Sequence, residues 1–547
     1  MLRKSCSLIL IIFLVAGCLP GWASAYDAKP KIVVVIVVDQ LRGDLLERYH
    51  DEFAPGGFRQ FMDHGAWFTN CYYNYANTRT APGHSTLGTG TYTLGHGIMA
   101  NDWWDPGKRK FVSSVEDDRE TALGASVAGI SASPRNLMSD TFGDELKLAT
   151  GGRAHVFGIA LKDRAAILPV GHAADAAFWI DHLSGAWLTS TYYMKQAPAW
   201  LVAYNQAKPG AKYENVEWKD AAGKVLDTTA PRKDAKGSAV GFYDRVGATP
   251  FANDYTLDFA KAVIENEKLG TGKVTDVISI SFSSNDIQGH RTGPDSEQEH
   301  AMLMALDRQL AGFIRYLDTK FGAGNVVLAL VSDHGIAPLP KYSSALRFAA
   351  ANGNSAEMMT KINAALAARL GRTTNYVLRV DYPNLFLDRD AFDGLNLTEE
   401  QAETLAGDEL MKLGMRGFIT RAALAEGKVP NTVFAEKFKN SYSPEPGWYV
   451  LGISAPFLVG YPTGTDHALP YSYDAHVPLA FVGAPFRAGY YDETVEPVDL
   501  AVTLSAILGV NKPTSAVGRV LSEALVRDGA HGSGTVVEPQ SRSKKAQ

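Results

Sequence analysis

The sequence predicts an α/β fold: a doubly wound, mostly parallel central sheet with helices on both faces and large cap insertions. Three observations carry that expectation. Residues 32–38 form an unbroken run of Ile and Val, and similar runs recur at 274–282, 326–331 and, shorter, at 478–482. Runs without polar alternation suit strands buried on both faces, as in a parallel sheet. Amphipathic stretches at 40–49, 138–149, 254–268, 296–318 and 497–508 separate them, and strands alternating with helices make a doubly wound sheet. Finally, three runs end directly in acid or imidazole side chains, at Asp39, at Asp286 and at Asp333-His334. Open α/β sheets bind their ligands at the carboxyl ends of the strands.

Taken in order, the chain begins with a leader. Arg3 and Lys4 precede an apolar core from Leu8 to Val15, and Ala23-Ser24-Ala25 is a small-residue cleavage site, so residues 1–25 read as a secretory signal peptide. Pro20-Gly21 ends the apolar run too early for a transmembrane anchor. Val15-Ala16-Gly17-Cys18 resembles a bacterial lipoprotein box, leaving cleavage after Ala25 and lipidation at Cys18 as alternatives; both place the mature chain in the periplasm or outside the cell. Of three cysteines, Cys6 and Cys18 lie in the leader, and Cys71 alone cannot form an internal disulfide. The formal charge is −6, more negative once Arg3 and Lys4 leave, which gives no general attraction to nucleic acid.

Candidate site residues are spread from Asp39 to His476, which favours one large domain over 26–527 rather than several independent units. Stretches of weaker periodicity at about 183–250 and 340–460, the latter holding strand-like pieces at 376–380 and 384–387, read as insertions that cap the site. Residues 528–547, rich in Gly, Ser and Lys, read as a disordered tail.

Each candidate has an ordinary alternative. Asp286 and His290, four apart, share a face if helical. Asp333 and His334 reach one point only if the chain turns, as Gly335 permits; otherwise they are a helix cap and a surface histidine. Asp39 suits a helix N-cap, and His476 suits the start of the 478–482 strand. His84, His96, His172 and His467 sit in Gly-rich surroundings and could equally be ligands or turn residues; spacing does not exclude them, and His467, in Thr465-Asp466-His467, is the least readily set aside. Thr80, followed by Ala81-Pro82-Gly83-His84, is placed to begin a helix, where free N–H groups favour an anion. There a cation can activate its hydroxyl as a nucleophile; the alternative is a capping threonine. Lys162 and Arg164 follow the strand-like 155–161 and lie between apolar stretches, so their charges need partners. Asn101 can donate an amide N–H to a phosphate oxygen or be an ordinary loop residue.

Read together, Asp39-Gln40, Asn77 to His84, Lys162-Asp163-Arg164, Asp286 to His290, Ser332 to Gly335 and Tyr473 to Pro478 resemble, in order and across nearly the whole mature chain, the PafA-type alkaline phosphatases. These form the threonine-nucleophile branch of the alkaline phosphatase superfamily. The resemblance implies a zinc ion on Asp286, His290 and His476, and a second on Asp39, Asp333 and His334 beside Thr80. It also implies that Asn101, Lys162 and Arg164 bind the phosphoryl oxygens, and that Thr80 forms a covalent phosphothreonine.

Charge then bears on the substrate. Two divalent cations, three aspartates and an ionised threonine cancel, leaving Lys162 and Arg164. A phosphate monoester dianion neutralises that pair and a diester monoanion does not; Arg164 also grips two free oxygens better than one. The expected activity is therefore hydrolysis of small phosphate monoesters, releasing inorganic phosphate. A phosphodiesterase or phosphonate hydrolase is the alternative, and an inactive zinc- or phosphate-binding protein the second. A sulfatase is disfavoured, because its formylglycine motif needs Cys or Ser where Thr80 stands and an arginine where His84 stands. Metal identity beyond His/Asp chemistry and oligomeric state are left open.

Overall fold

The computed structural model describes residues 29–125, 130–444 and 447–526. The leader and the tail from 528 lie outside the described residues. The Ile32–Val38 strand occupies the middle of an eleven-stranded sheet. On one side it pairs in parallel with Asp276–Phe282, which continues through Val156–Ala160 to Ala176–Ile180; on the other it pairs in parallel with Val326–Val331. Alternation along the strand splits its side chains between two cores. Val33, Val35 and Val37 pack with Leu87, Phe142, Ala165 and Leu500, whereas Ile32, Val34, Ile36 and Val38 pack with Leu45, Phe58, Ala252 and Leu303. Helices Thr80–Thr89, Phe142–Ala149, Asp163–Ile167 and Asp499–Leu508 therefore cover one face. Gly43–Arg48, Phe58–His64, Phe251–Asn266 and Glu297–Phe321 cover the other.

The doubly wound centre is as expected from the apolar runs. The flanks differ: Leu479–Val482 pairs antiparallel with Val326–Val331, and Trp187–Ser190 pairs antiparallel with Ala176–Ile180. Both flanking strands are four residues long and are paired on each side, Leu479–Val482 also with Ala66–Phe68 and Trp187–Ser190 also with Glu116–Leu123.

Within 340–460, strands Val377–Asp381, Asn384–Leu387, Trp448–Ile453 and Gly417–Thr420 form a separate antiparallel sheet. Helices Ser355–Leu370 and Glu399–Lys412 back it, enclosing a core of its own built from Leu366, Leu385, Leu410 and Val450. Within 183–250, Trp187–Ser190 joins the central sheet, and Glu217–Lys219 pairs with Val225–Thr228 as a small hairpin.

Candidate active site

Parallel strands deliver their ends to one place. Asp39 follows Ile32–Val38 directly, Asp333 and His334 follow Val326–Val331, and Lys162 follows Val156–Ala160. Asp286 and His290 stand one turn apart on the Ser284–Thr292 helix, which continues from Asp276–Phe282. Apart from His290, which is a third exposed, these side chains are buried.

Two groups of ligand-type atoms result. Asp39, Asp333 and His334 bring one ligand atom each within 4.8 Å of one another, and so do Asp286, His290 and His467. His467 takes the place expected of His476. The His476 ring lies against Tyr72 at 4.5 Å, beneath Gly43, with Nε2 3.0 Å from the Thr69 carbonyl. Its backbone bridges to Tyr72, and it belongs to neither group of ligand-type atoms. His467 is carried in by a loop held at Thr465, whose N–H donates to the His290 carbonyl and whose hydroxyl donates to the Ala337 carbonyl.

The three imidazoles share one arrangement. Nδ1 faces a backbone carbonyl in each: Thr465 for His290 at 3.0 Å, Gly335 for His334 at 2.9 Å and Thr78 for His467 at 2.6 Å. A carbonyl only accepts, so Nδ1 carries a proton in each ring, and Nε2 presents a lone pair towards the carboxylates once the ring is neutral. Metal-binding histidines are oriented in this way. Asp39 Oδ1, Asp333 Oδ2 and His334 Nε2 are buried without a hydrogen-bond partner. His334 Nε2 lies 3.6 Å from the first oxygen and 3.5 Å from the second. Converging acceptors without a donor fit a cation, and the mixed His/Asp set suits zinc.

Lys162 lies between the groups. Its Nζ is 2.6 Å from Asp39 Oδ2, 2.5 Å from Asp286 Oδ2 and 3.4 Å from Thr80 Oγ1. Burial disfavours its charge, but Asp286 and Asp39 outweigh that and hold it protonated. Burial likewise opposes charge on each carboxylate. Lys162 and His290 nevertheless keep Asp286 ionised, His334 and His84 keep Asp333 ionised, and Asp39, beside Asp333, is pushed up.

Thr80 opens its helix and is almost fully buried. That helix approaches Asp333 so closely that a Cβ on Gly83 would stand 2.3 Å from the Asp333 carbonyl oxygen. His84 serves this contact rather than ligation of a separate ion. Its Nδ1 meets the Thr80 carbonyl at 2.9 Å and its Nε2 the Ser281 hydroxyl at 2.9 Å, while Nδ1 also stands 3.1 Å from Asp333 Oδ2. His96 is buried elsewhere, beside Thr86. Asn101 Oδ1 accepts from the Ala81 N–H at 2.9 Å, which orients its amide so that Nδ2 is left as the donor. The Arg164 guanidinium is partly exposed, with Nε buried and unpartnered.

Besides His467, Gln40 joins the site and Tyr243 lies within electrostatic reach of Lys162. Gln40, at φ 69°, donates from its backbone to Asp333 Oδ1 at 3.0 Å and from Nε2 to Asp286 Oδ1 at 2.6 Å, linking the two groups. A non-glycine residue at positive φ is a signal found only in structure. Tyr243 stacks on His182 at 4.1 Å. Burial pushes its hydroxyl up to about 12, with Lys162 and Arg164 pulling the other way; it comes from the weakly patterned 183–250 stretch.

Residues 33–386 match the family model for type I phosphodiesterase / nucleotide pyrophosphatase. The chain belongs to that family, within the alkaline phosphatase superfamily. Among relatives of this family member, alkaline phosphatase PafA of Elizabethkingia meningoseptica is 32% identical over 543 residues, 95% of this chain and 99% of that protein. A protein named calcium-transporting ATPase from Myroides odoratus is 34% identical over 533 residues, 92% and 96% of the two chains. Alkaline phosphatase PhoV of Synechococcus elongatus is 31% identical over 529 residues, 91% and 93%. The crystal structure of wild-type PafA matches with a TM-score of 0.79 at 30% identity, over 91% of this chain and 99% of that one. The resemblance read from the sequence thus extends along the chain of this type I phosphodiesterase / nucleotide pyrophosphatase family member. No helix among the described residues is long and apolar enough to cross a membrane.

Proposed function

We propose that this protein is an exported alkaline phosphatase that hydrolyses phosphate monoesters through a covalent phosphothreonine at Thr80, in a site for two zinc ions. The observation carrying this reading is the pair of three-residue groups, Asp286/His290/His467 and Asp39/Asp333/His334, flanking Lys162 and Thr80. These groups would hold the ions, with His467 in place of His476 as the third ligand beside Asp286 and His290. Bound divalent cations supply the positive charge that favours an ionised hydroxyl and offsets charge on a leaving oxygen.

The chain's own residues do the positioning. The Thr80 helix would turn its positive end and the Thr80 N–H towards the phosphoryl group, the Ala81 N–H being taken by Asn101 Oδ1 and the Gly83 N–H by the Arg79 carbonyl. Asn101 Nδ2, Lys162 and the Arg164 guanidinium surround the non-bridging oxygens. Thr80 Oγ1 displaces the leaving oxygen at phosphorus, and water then displaces Thr80, releasing phosphate and restoring the hydroxyl. Fixed donors aimed at developing charge carry most of such catalysis.

The family model's description includes diester cleavage, and the Myroides relative's printed name includes ATP hydrolysis. Lys162 and the unpartnered Arg164 Nε favour a doubly charged monoester over a diester. The test compares kcat/KM on nitrophenyl phosphate and bis(nitrophenyl) phosphate, before and after chelation and zinc replacement, in the wild type, Thr80→Ala and the Lys162→Ala/Arg164→Ala double variant. Monoester turnover lost in each variant supports the reading. A preference for the diester, or turnover undiminished in Thr80→Ala, overturns it.

A further inference from the structure

The Val377–Asp381 strand of the cap sheet lies against two segments that flank the active site. Val380 points into the cap's own core. Arg379 and Asp381, two apart and hence on the opposite face, both turn towards the catalytic segment. Each makes an ion pair of opposite sense with a residue next to the proposed machinery. Asp381 meets Arg79, the neighbour of Thr80, at 3.1 Å, and that guanidinium also donates to the Tyr382 carbonyl at 3.4 Å. Arg379 grips Asp102, the neighbour of Asn101, twice, with Nη1 at 2.5 Å from Oδ2 and Nη2 at 3.2 Å from the backbone carbonyl. The Arg379 guanidinium is itself held between rings, 3.8 Å from the Phe111 centroid and 5.3 Å from that of Phe386. Phe111 belongs to the strand paired with Asp102–Asp105, so the cap grips both strands of the hairpin that starts at Asn101.

We propose that the Val377–Asp381 strand is a positioning clamp for the phosphoryl-binding side of the site, with Arg379 acting through Asp102 on Asn101. This rests on the reading of Asn101 as a donor to the phosphoryl group. Partly exposed ion pairs contribute little to stability, and the Arg379 and Asp102 side chains are 29% and 41% exposed. The clamp's effect is therefore on geometry. Asn101 Oδ1 is tied to the Ala81 N–H, so a shift of its backbone redirects Nδ2 relative to Thr80.

The experiment is a double-mutant cycle between Arg379→Met, which keeps an apolar side chain between the rings, and Asn101→Ala. It reads kcat/KM on nitrophenyl phosphate, inhibition by inorganic phosphate, zinc content and Tm. Alone, Arg379→Met is expected to lower kcat/KM and weaken phosphate inhibition by about tenfold to a hundredfold, the cost of misplacing a catalytic donor, with zinc content and Tm retained. In the Asn101→Ala background the same substitution changes kcat/KM less than about twofold, since its target is gone. Asp102→Asn, which keeps shape, should repeat the pattern and stands in if Arg379→Met does not fold. A full, additive loss in both backgrounds, or no loss in either, overturns the clamp while leaving the proposed function in place. A silent Asn101→Ala overturns the reading of Asn101 and the clamp with it.

Discussion

His467 and His476 lie nine positions apart, and the choice between them tests the site most directly. His467→Ala removes one of three proposed ligands from its group; His476→Ala removes a ring from the protein framework. Structural zinc sites contribute about 10–16 kcal/mol over four ligands, so one ligand is about 3 kcal/mol, roughly a hundredfold in metal affinity. His476 makes one hydrogen bond to Thr69 and one ring contact with Tyr72, together about 2 kcal/mol of fold stability. The assay is a zinc titration of chelator-treated protein, read by nitrophenyl phosphate turnover, alongside thermal unfolding. His467→Ala should need about a hundredfold more free zinc for half-activity, whereas His476→Ala should titrate like wild type and unfold at lower temperature. The reverse pattern, with metal lost in His476→Ala and kept in His467→Ala, would refute the assignment.

Other consequences follow from the same geometry. In the metal-free protein burial lowers the His290 pKa, but Asp286 overrides this and raises it from 6.5 to about 9. Metal binding there must expel that proton, so apparent zinc affinity should rise about tenfold per pH unit up to pH 9 and level off above it. The raised value has the opposite sign for the metal-free fold, whose contribution from this pair is complete below 6.5 and lost as pH passes 9; zinc titrations and metal-free melts across pH 6–10 should move in opposite directions. Gln40→Leu removes the amide bonded to Asp286 and should weaken metal binding about tenfold to a hundredfold, measured by the same titration. Gly83→Ala drives a Cβ against the Asp333 backbone and should cost about 1–3 kcal/mol by denaturant melts, with a larger fall in kcat as the Thr80 helix moves off; unchanged kcat would contradict the close packing described.

Much of the sheet was legible because its central strands are buried on both faces, which leaves no room for polar alternation in runs such as 32–38 and 326–331. The short flanking strands, at Ala66–Phe68 and Trp187–Ser190, carry no such signal and could not be separated from loop. Ligand candidates such as Asp39, Asp286 and Asp333 were legible for a related reason. Each stands just beyond a strand end, where topology alone brings chain ends together. His467 was legible only as one of four open histidines, because it arrives on a loop with no element to announce it.

By itself, then, the sequence determined the class of fold, the line of strand ends and the kinds of side chain gathered there. It did so through local burial and residue chemistry, which are properties of short segments. The tertiary structure alone decided which histidine completes the second group, that Gln40 ties the two groups together, and that the cap strand reaches both Thr80's and Asn101's neighbours. Those choices depend on hydrogen bonds between residues hundreds of positions apart, such as His467 to the Thr78 carbonyl and Gln40 to Asp286, and the segments around His467 and Gln40 do not contain the partners that orient those side chains.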